Sequence, residues 1–239
     1  MGTPLPNPRS YRELIGRHLY LTITRPDITF YVHQLSQFIS APSDIHLQVA
    51  HKVLKYIKAN PGQGLMYPAD SDLSLNVFCD ADWANCKDNR RSITGYCVYL
   101  GNSLISWRSK KQGVTSRSST ESEYHSMAQA TYETIWLQQL FKDLHLPVTG
   151  PVKLYCDNKS ALHIAMNPVF HERTKHIEID CHIVRDQIKA CTLKVFHVSS
   201  ENQHADILTK PLFPFYGLLS KMSLSSMYLP NQTSLKLQT

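Results

Sequence analysis

The chain has 239 residues, with 25 Lys and Arg against 19 Asp and Glu for a formal charge of +6. That length suits one large domain, or a small one with an appendage, and the mild basic excess favours a polyanionic partner. No apolar run reaches the roughly 20 residues that cross a bilayer, which excludes a membrane span. The cysteines Cys79, Cys86, Cys97, Cys156, Cys181 and Cys191 lack paired spacing, and MGTPLPNPRS has no apolar core of a secretion signal. Free thiols in a reducing, intracellular compartment are expected, not a disulfide framework.

Residues 1–62 read as a helical arm. Leu14, His18, Leu19 and Thr22 share one helical face after Ser10, and Ile28, Tyr31, Leu35 and Phe38 share another after Pro26. Asp44 is the expected cap of a third helix carrying Leu47, Ala50, Val53, Leu54 and Ile57, which Asn60, Pro61 and Gly62 end.

From residue 63 the period becomes two. Leu73, Leu75 and Val77 alternate with polar residues in a strand that ends on Asp80, Asp82 and Trp83. Thr94, Tyr96, Val98 and Leu100 form a second strand up to the turn Gly101-Asn102, and Leu104, Ser106 and Arg108 a third, giving an antiparallel meander. A carboxylate at a strand end is held by backbone on both sides and can face a hard cation rigidly. Asp82 is a reserve ligand on the same reasoning.

A long helix then starts at SRSSTESEY. At about 100° per residue Glu123 shares the face of Met127, Ala130, Leu137 and Phe141, whereas Glu121 falls with His125, Tyr132 and Gln139. Glu123 is therefore taken as the functional carboxylate, and Glu121, three residues after Ser118, as a capping residue. VKLYCDNKSA is a short strand ending on Asp157, directly before a helix from Lys159 to Met166. HERTKHIEIDCHIVRDQIKA reads as a charged helix or helix pair burying Ile177, Ile179, Ile183, Val184 and Ile188. LKVFHVS is a strand, SENQHADILTK a loop turning into a helix that carries Asp206, and residues 213–239 a polar, partly disordered tail.

Asp80, Glu123, Asp157 and Asp206 thus come from separate elements. Gathering them without cations would raise each carboxyl's pKa. Two Mg²⁺ about 4 Å apart would make sense of the set, and Mn²⁺ could serve in their place.

Six blocks in order, NVFCDADWA, the segment from RRSITGY to LISWRSKKQ, SSTESEY, YCDNKSA, NPVFHERTKHIEID and HADILTKPL, resemble the ribonuclease H domain of copia-type LTR retrotransposon Pol polyproteins. LYLTITRPDI and the helix before NPGQGLMYP resemble the reverse transcriptase tail, thumb and connection, that precedes it there. The resemblance implies an α/β fold, a mixed sheet with an antiparallel meander and flanking helices over residues 63–212, beside the arm. It implies metal-dependent hydrolysis of the RNA strand of an RNA–DNA hybrid, with Asp80, Glu123, Asp157 and Asp206 as metal-holding catalytic residues. It also implies His197 in proton transfer or product release. Arg173, Lys175 and His176 are candidates to grip phosphates. The remainder of a reverse transcriptase is the expected partner within a longer polyprotein, in the cytoplasm (a virus-like particle) or the nucleus, with no small-molecule substrate and no polymerase activity in this stretch.

Two other classes are open on the residues: an inactive module that binds hybrid, and a zinc-binding DNA module built on His171, His176, Cys181 and His182, which has no C-x-x-C to support it. No G-x-S-x-G or placed thiol partner supports a serine or cysteine hydrolase.

Overall fold

The structure, a computed structural model, describes residues 2–86, 88–146, 148–167 and 178–211. The expected tail, Ile177, and the candidates His171, Arg173, Lys175 and His176 lie outside the described residues.

The arm is three helices, α1 (Pro8–Leu21), α2 (Thr29–Ser36) and α3 (Asp44–Ala59). Their starts differ from the sequence expectation. Asn7, not Ser10, opens α1: its side chain accepts the Arg9 N–H at 3.0 Å, and Pro8 fills the first turn where an N–H would be idle. The face α1 buries is accordingly centred on Tyr11, Ile15 and His18, with Leu14 and Leu19 at its margin. Pro26 starts a 3₁₀ turn, Pro26–Ile28, ahead of α2. Ser43 is the N-cap of α3, and its N–H donates to His46 Nδ1 at 3.1 Å. Asp44 instead accepts the Thr3 N–H at 2.8 Å and ties the chain's start to the arm.

The sheet has the order β3-β2-β1-β4-β5. Strands β1 (Leu75–Asp82), β2 (Ile93–Leu100) and β3 (Ser103–Lys111) form the antiparallel meander, and Gly101 takes φ +55 in the link between β2 and β3, a value that suits glycine. Strand β4 (Val152–Cys156) runs parallel to β1, and β5 (Leu193–His197) parallel to β4.

One face of the sheet is covered by α4 (Ser119–Asp143), with α5 (Lys159–Met166) and α6 (Glu178–Lys189) beside it; Leu75, Val77, Cys79, Met127, Leu154 and Val184 meet in that core. Helix α6 turns Cys181, Val184 and Arg185 inward, so Ile179, expected in the core, is 76% exposed on its far side. Buried Arg185 donates to the carbonyls of Ile164 (2.8 Å) and Asn167 (3.0 Å), satisfying acceptors that the end of α5 leaves open.

The opposite face carries a second core of Cys97, Tyr99, Leu104, Ala205, Ile207 and Leu208. Tyr56 of α3 packs against both this core and the arm's own core, so the arm is seated on the sheet. Trp107 Nε1 donates to Thr22 O at 3.1 Å, and His33 Nδ1 is hydrogen-bonded to Ser109 O, across the same junction. The segment carrying Asp206 is a 3₁₀ helix, His204–Leu208, not the longer helix expected; Gln203 opens it by accepting the Ala205 N–H. Five residues in that tight coil bring Ala205, Ile207 and Leu208 onto the sheet.

Candidate active site

Asp80 lies near the end of β1, with its backbone fixed from both faces. Ser126 Oγ of α4 donates to its carbonyl at 2.7 Å, and Gln203 Nε2 donates to the neighbouring Cys79 carbonyl at 2.9 Å. Side chains alternate along the strand, so Cys79 enters the α4 core while Asp80 turns toward the 3₁₀ segment. There Thr209 Oγ1 donates to Asp80 Oδ2, and Lys210 Nζ lies 3.4 Å from Asp80 Oδ1 and 2.7 Å from Asp206 Oδ1. The close seat of that segment depends on Gly95, the β2 partner of Asp80: a Cβ there would stand 2.6 Å from Thr209 Cγ2 and 2.9 Å from Leu208 Cβ.

Glu123 enters from the first turns of α4. Ser118 caps this helix by accepting the Glu121 N–H at 3.2 Å, and the Glu121 carboxylate accepts the Arg117 N–H at 2.8 Å, so Glu121 is spent on the helix start. Two residues on, Glu123 is 6% exposed. The fully buried Ser122 and Ser126, one just before and one a turn after, are small side chains on the helix face that approaches the sheet. Asp157 follows β4 directly and accepts from Ser200 Oγ at 2.9 Å.

The four carboxyl groups act on one another. Burial, followed by the charges of Asp80, Cys156 and Asp157, pushes Glu123 up to about 10. Burial likewise raises Asp80 to about 6; Lys210 opposes it, and Asp206 and Asp157 reinforce it. Lys210 is held above its ordinary value: burial works against its charge, and Asp80 and Asp206 more than compensate. The Lys210 ammonium thus supplies part of the positive charge the cluster wants.

Donor atoms of Glu123, Cys156 and Asp157, without Asp80 or Asp206, all lie within 4.8 Å of one another, a grouping that could hold a metal ion among the described residues. Two carboxyl groups on rigid elements, one of them buried, with a sulfur beside them, fit a divalent cation. Asp82 does not join them: its carboxylate is engaged by Asn85 Nδ2 in the turn beyond β1. His197 ends β5, in register with Cys156, and its side chain is exposed. It stands at the end of the expected strand. Of the zinc set, Cys181 is buried in the α4 core and His182 is exposed on α6.

Sequence reading overlooked Gly95, Thr209, Lys210 and the thiol of Cys156. A glycine inside an alternating strand is itself a sign of close backbone approach. The positions of Thr209 and Lys210 follow only from the 3₁₀ fold of the preceding residues.

A five-stranded mixed sheet in this order, with helices on its faces and acidic groups at the ends of its parallel neighbours β1 and β4, is a ribonuclease H fold. No family model matches the chain. It is 46% identical over 211 residues, 88% of its length, to the retrovirus-related Pol polyprotein from transposon RE1 of Arabidopsis thaliana. It is 44% identical over 211 residues to that from transposon RE2 of the same plant. Homologues over most of the chain are thus Pol polyproteins of copia-type transposons, and the chain spans 14% of the length of these two relatives. Among solved structures, LC11-RNase H1 in complex with RNA/DNA hybrid overlaps 57% of this chain and 94% of its own at 14% identity and a TM-score of 0.44. The fold assignment stands on the strand order, not on that overlap.

Proposed function

We propose that this chain is a metal-dependent ribonuclease H that hydrolyses the RNA strand of an RNA–DNA hybrid, as one portion of a retrotransposon reverse transcriptase. The observation that carries the reading is the electrostatic coupling of Asp80 with Glu123, Asp157 and Asp206, carboxyl groups from four elements, beside the donor group of Glu123, Cys156 and Asp157. Homology to transposon Pol polyproteins supports it. In this reading the four carboxylates hold Mg²⁺ or Mn²⁺, which supplies Lewis acidity to a phosphodiester when bound. The protein's own part is placement. Ser126 and Gln203 fix the β1 backbone on either side of Asp80, Ser200 orients Asp157, and Thr209 orients Asp80. His197, exposed and in register with Cys156 at the end of β5, is assigned in this reading to proton transfer or product release. Arg173, Lys175 and His176 are assigned to phosphate contacts, and the remainder of the reverse transcriptase to holding the hybrid. The proposed location is intracellular.

The test is cleavage of a hybrid labelled on its RNA strand, with Mg²⁺, beside an Asp80→Asn control. RNA-strand cleavage lost in the control is expected. Equal inactivity of both proteins would remove the enzymatic reading, and hybrid binding retained in both would leave a binding module.

A further inference from the structure

We propose that Glu123, Cys156 and Asp157 form a binding site for a thiophilic divalent cation of the zinc and cadmium class, with the Cys156 sulfur as a direct ligand. Occupation of that site would take Glu123 and Asp157 away from hydrolysis, a consequence that rests on the ribonuclease reading; the site itself does not.

Cys156 is the last residue of β4, and alternation turns its side chain to the α4 face, beneath Glu123. Its Sγ lies 3.9 Å from Glu123 Oε2, and the Asp157 carboxylate completes a group of donor atoms within 4.8 Å. Two donors bound to one zinc at about 2.3 Å (sulfur) and about 2.1 Å (oxygen) stand about 3.6 Å apart at the tetrahedral angle. The observed separation therefore needs to close by only a few tenths of an ångström. A second feature points the same way. The Asn158 N–H donates to Cys156 Sγ at 3.4 Å, the kind of hydrogen bond that steadies a ligating thiolate from behind. Hard Mg²⁺ gains nothing from sulfur, whereas zinc and cadmium do. Binding replaces the S–H bond by a sulfur–metal bond and releases the proton to solvent, with no change of oxidation state.

The other thiols define the control. Cys191 is exposed and Cys86 partly so, while Cys79, Cys97 and Cys181 are buried. The full chain carrying Cys86→Ser and Cys191→Ser, stripped of metal, is titrated with Cd²⁺, and the ultraviolet sulfur-to-cadmium charge-transfer band is followed. One Cd²⁺ per chain is expected to raise the band, and Cys156→Ser on that background to abolish it. Asp157→Asn, at a partly exposed position that does not threaten the core, is expected to weaken cadmium affinity about tenfold or more while keeping the band. No band in the parent, a band of equal amplitude in Cys156→Ser, or unchanged affinity in Asp157→Asn would each overturn the site. Mg²⁺-supported hybrid cleavage without a cadmium band would sink this inference and leave the ribonuclease reading intact. A band that depends on Cys156, in a chain that cleaves no hybrid, would do the reverse.

Discussion

Lys210 Nζ stands 2.7 Å from Asp206 Oδ1, four residues before it in the chain, and the same ammonium lies 3.4 Å from the buried Asp80. The lysine side chain is 35% exposed and the Asp80 side chain 2%, so one end of this bridge is screened by solvent and the other is not. Replacing Lys210 by Met leaves Asp80 buried beside other carboxyls without its counter-charge. The expected loss in metal-free protein is about 1–3 kcal/mol, below the value for a fully buried pair because of that exposure. The variant is also expected to bind Mg²⁺ more tightly, since the ammonium no longer competes for the same oxygens. Urea unfolding in EDTA measures the first and calorimetric titration the second. Equal or weaker Mg²⁺ affinity would show that Lys210 assists the cation instead of competing with it.

Gly95→Ala tests the seat of the 3₁₀ segment. The added methyl would meet Thr209 and Leu208 at 2.6 and 2.9 Å and the Ala205 carbonyl at 3.1 Å, so the segment must lift off β2 and carry Asp206 and Lys210 with it. Overpacking of this kind costs about 1–3 kcal/mol. Displacing a positioning group by about 1 Å costs roughly a hundredfold in rate. Hybrid cleavage should therefore fall far more than the unfolding midpoint. A variant that keeps its rate but loses stability would show that the segment's position is irrelevant to the chemistry.

These two positions show where sequence reading stops. Alternation from Leu75 to Val77 and the helical spacing of Glu123 with Met127, Ala130 and Leu137 are short-range regularities, and the strand and the helix face follow from them directly. The 3₁₀ segment has no such regularity. Its five residues are placed by burial of Ala205, Ile207 and Leu208 and by Gln203 reaching the Cys79 carbonyl, a contact across 124 positions of sequence. The misplaced helix starts have another cause. Asn7, Ser10, Ser43 and Asp44 are all competent caps, and the choice among them depends on Pro8 and on the Thr3 N–H held by Asp44.

Metal-free protein should lose stability as pH rises. Glu123 sits at about 10 in the fold against an ordinary 4.5, and Asp80 at about 6 against 3.8. Between those limits the native state holds protons that the unfolded chain has released. The stabilisation is complete below the lower values and fades up to the higher ones. For one unshared proton the slope is at most about 1.4 kcal/mol per pH unit. Urea midpoints in EDTA should fall between about pH 6 and about pH 8, with Glu123→Gln flattening the trend. Saturating Mg²⁺ should oppose it, because a cation favours the ionised carboxyls. A flat profile in the parent would mean that Glu123 is ionised and already paired.

The arm offers a test away from the cluster. Arg25, 4% exposed, and Asp27, fully buried, pair at 2.7 Å through the guanidinium Nη2, with a second bond from Nε at 2.9 Å. Tyr56 Oη donates to the same carboxylate at 2.8 Å, and Arg25 Nη1 donates to Asn60 O at 3.1 Å, fastening the end of α3 to the start of α2. Because the pair is buried, removing one partner costs more than the intact pair contributes: Asp27→Leu strands a guanidinium and is expected to cost about 3–5 kcal/mol. The double variant Arg25→Met, Asp27→Leu removes both charges and should recover most of that loss, since well-packed apolar residues of similar size often replace a buried ion pair without penalty. Urea unfolding of the two single variants and the double variant gives the coupling energy directly. Additive losses would show that Arg25 finds its stabilisation in Asn60 O and the Tyr56 ring, 5.6 Å from its guanidinium carbon, instead of in Asp27.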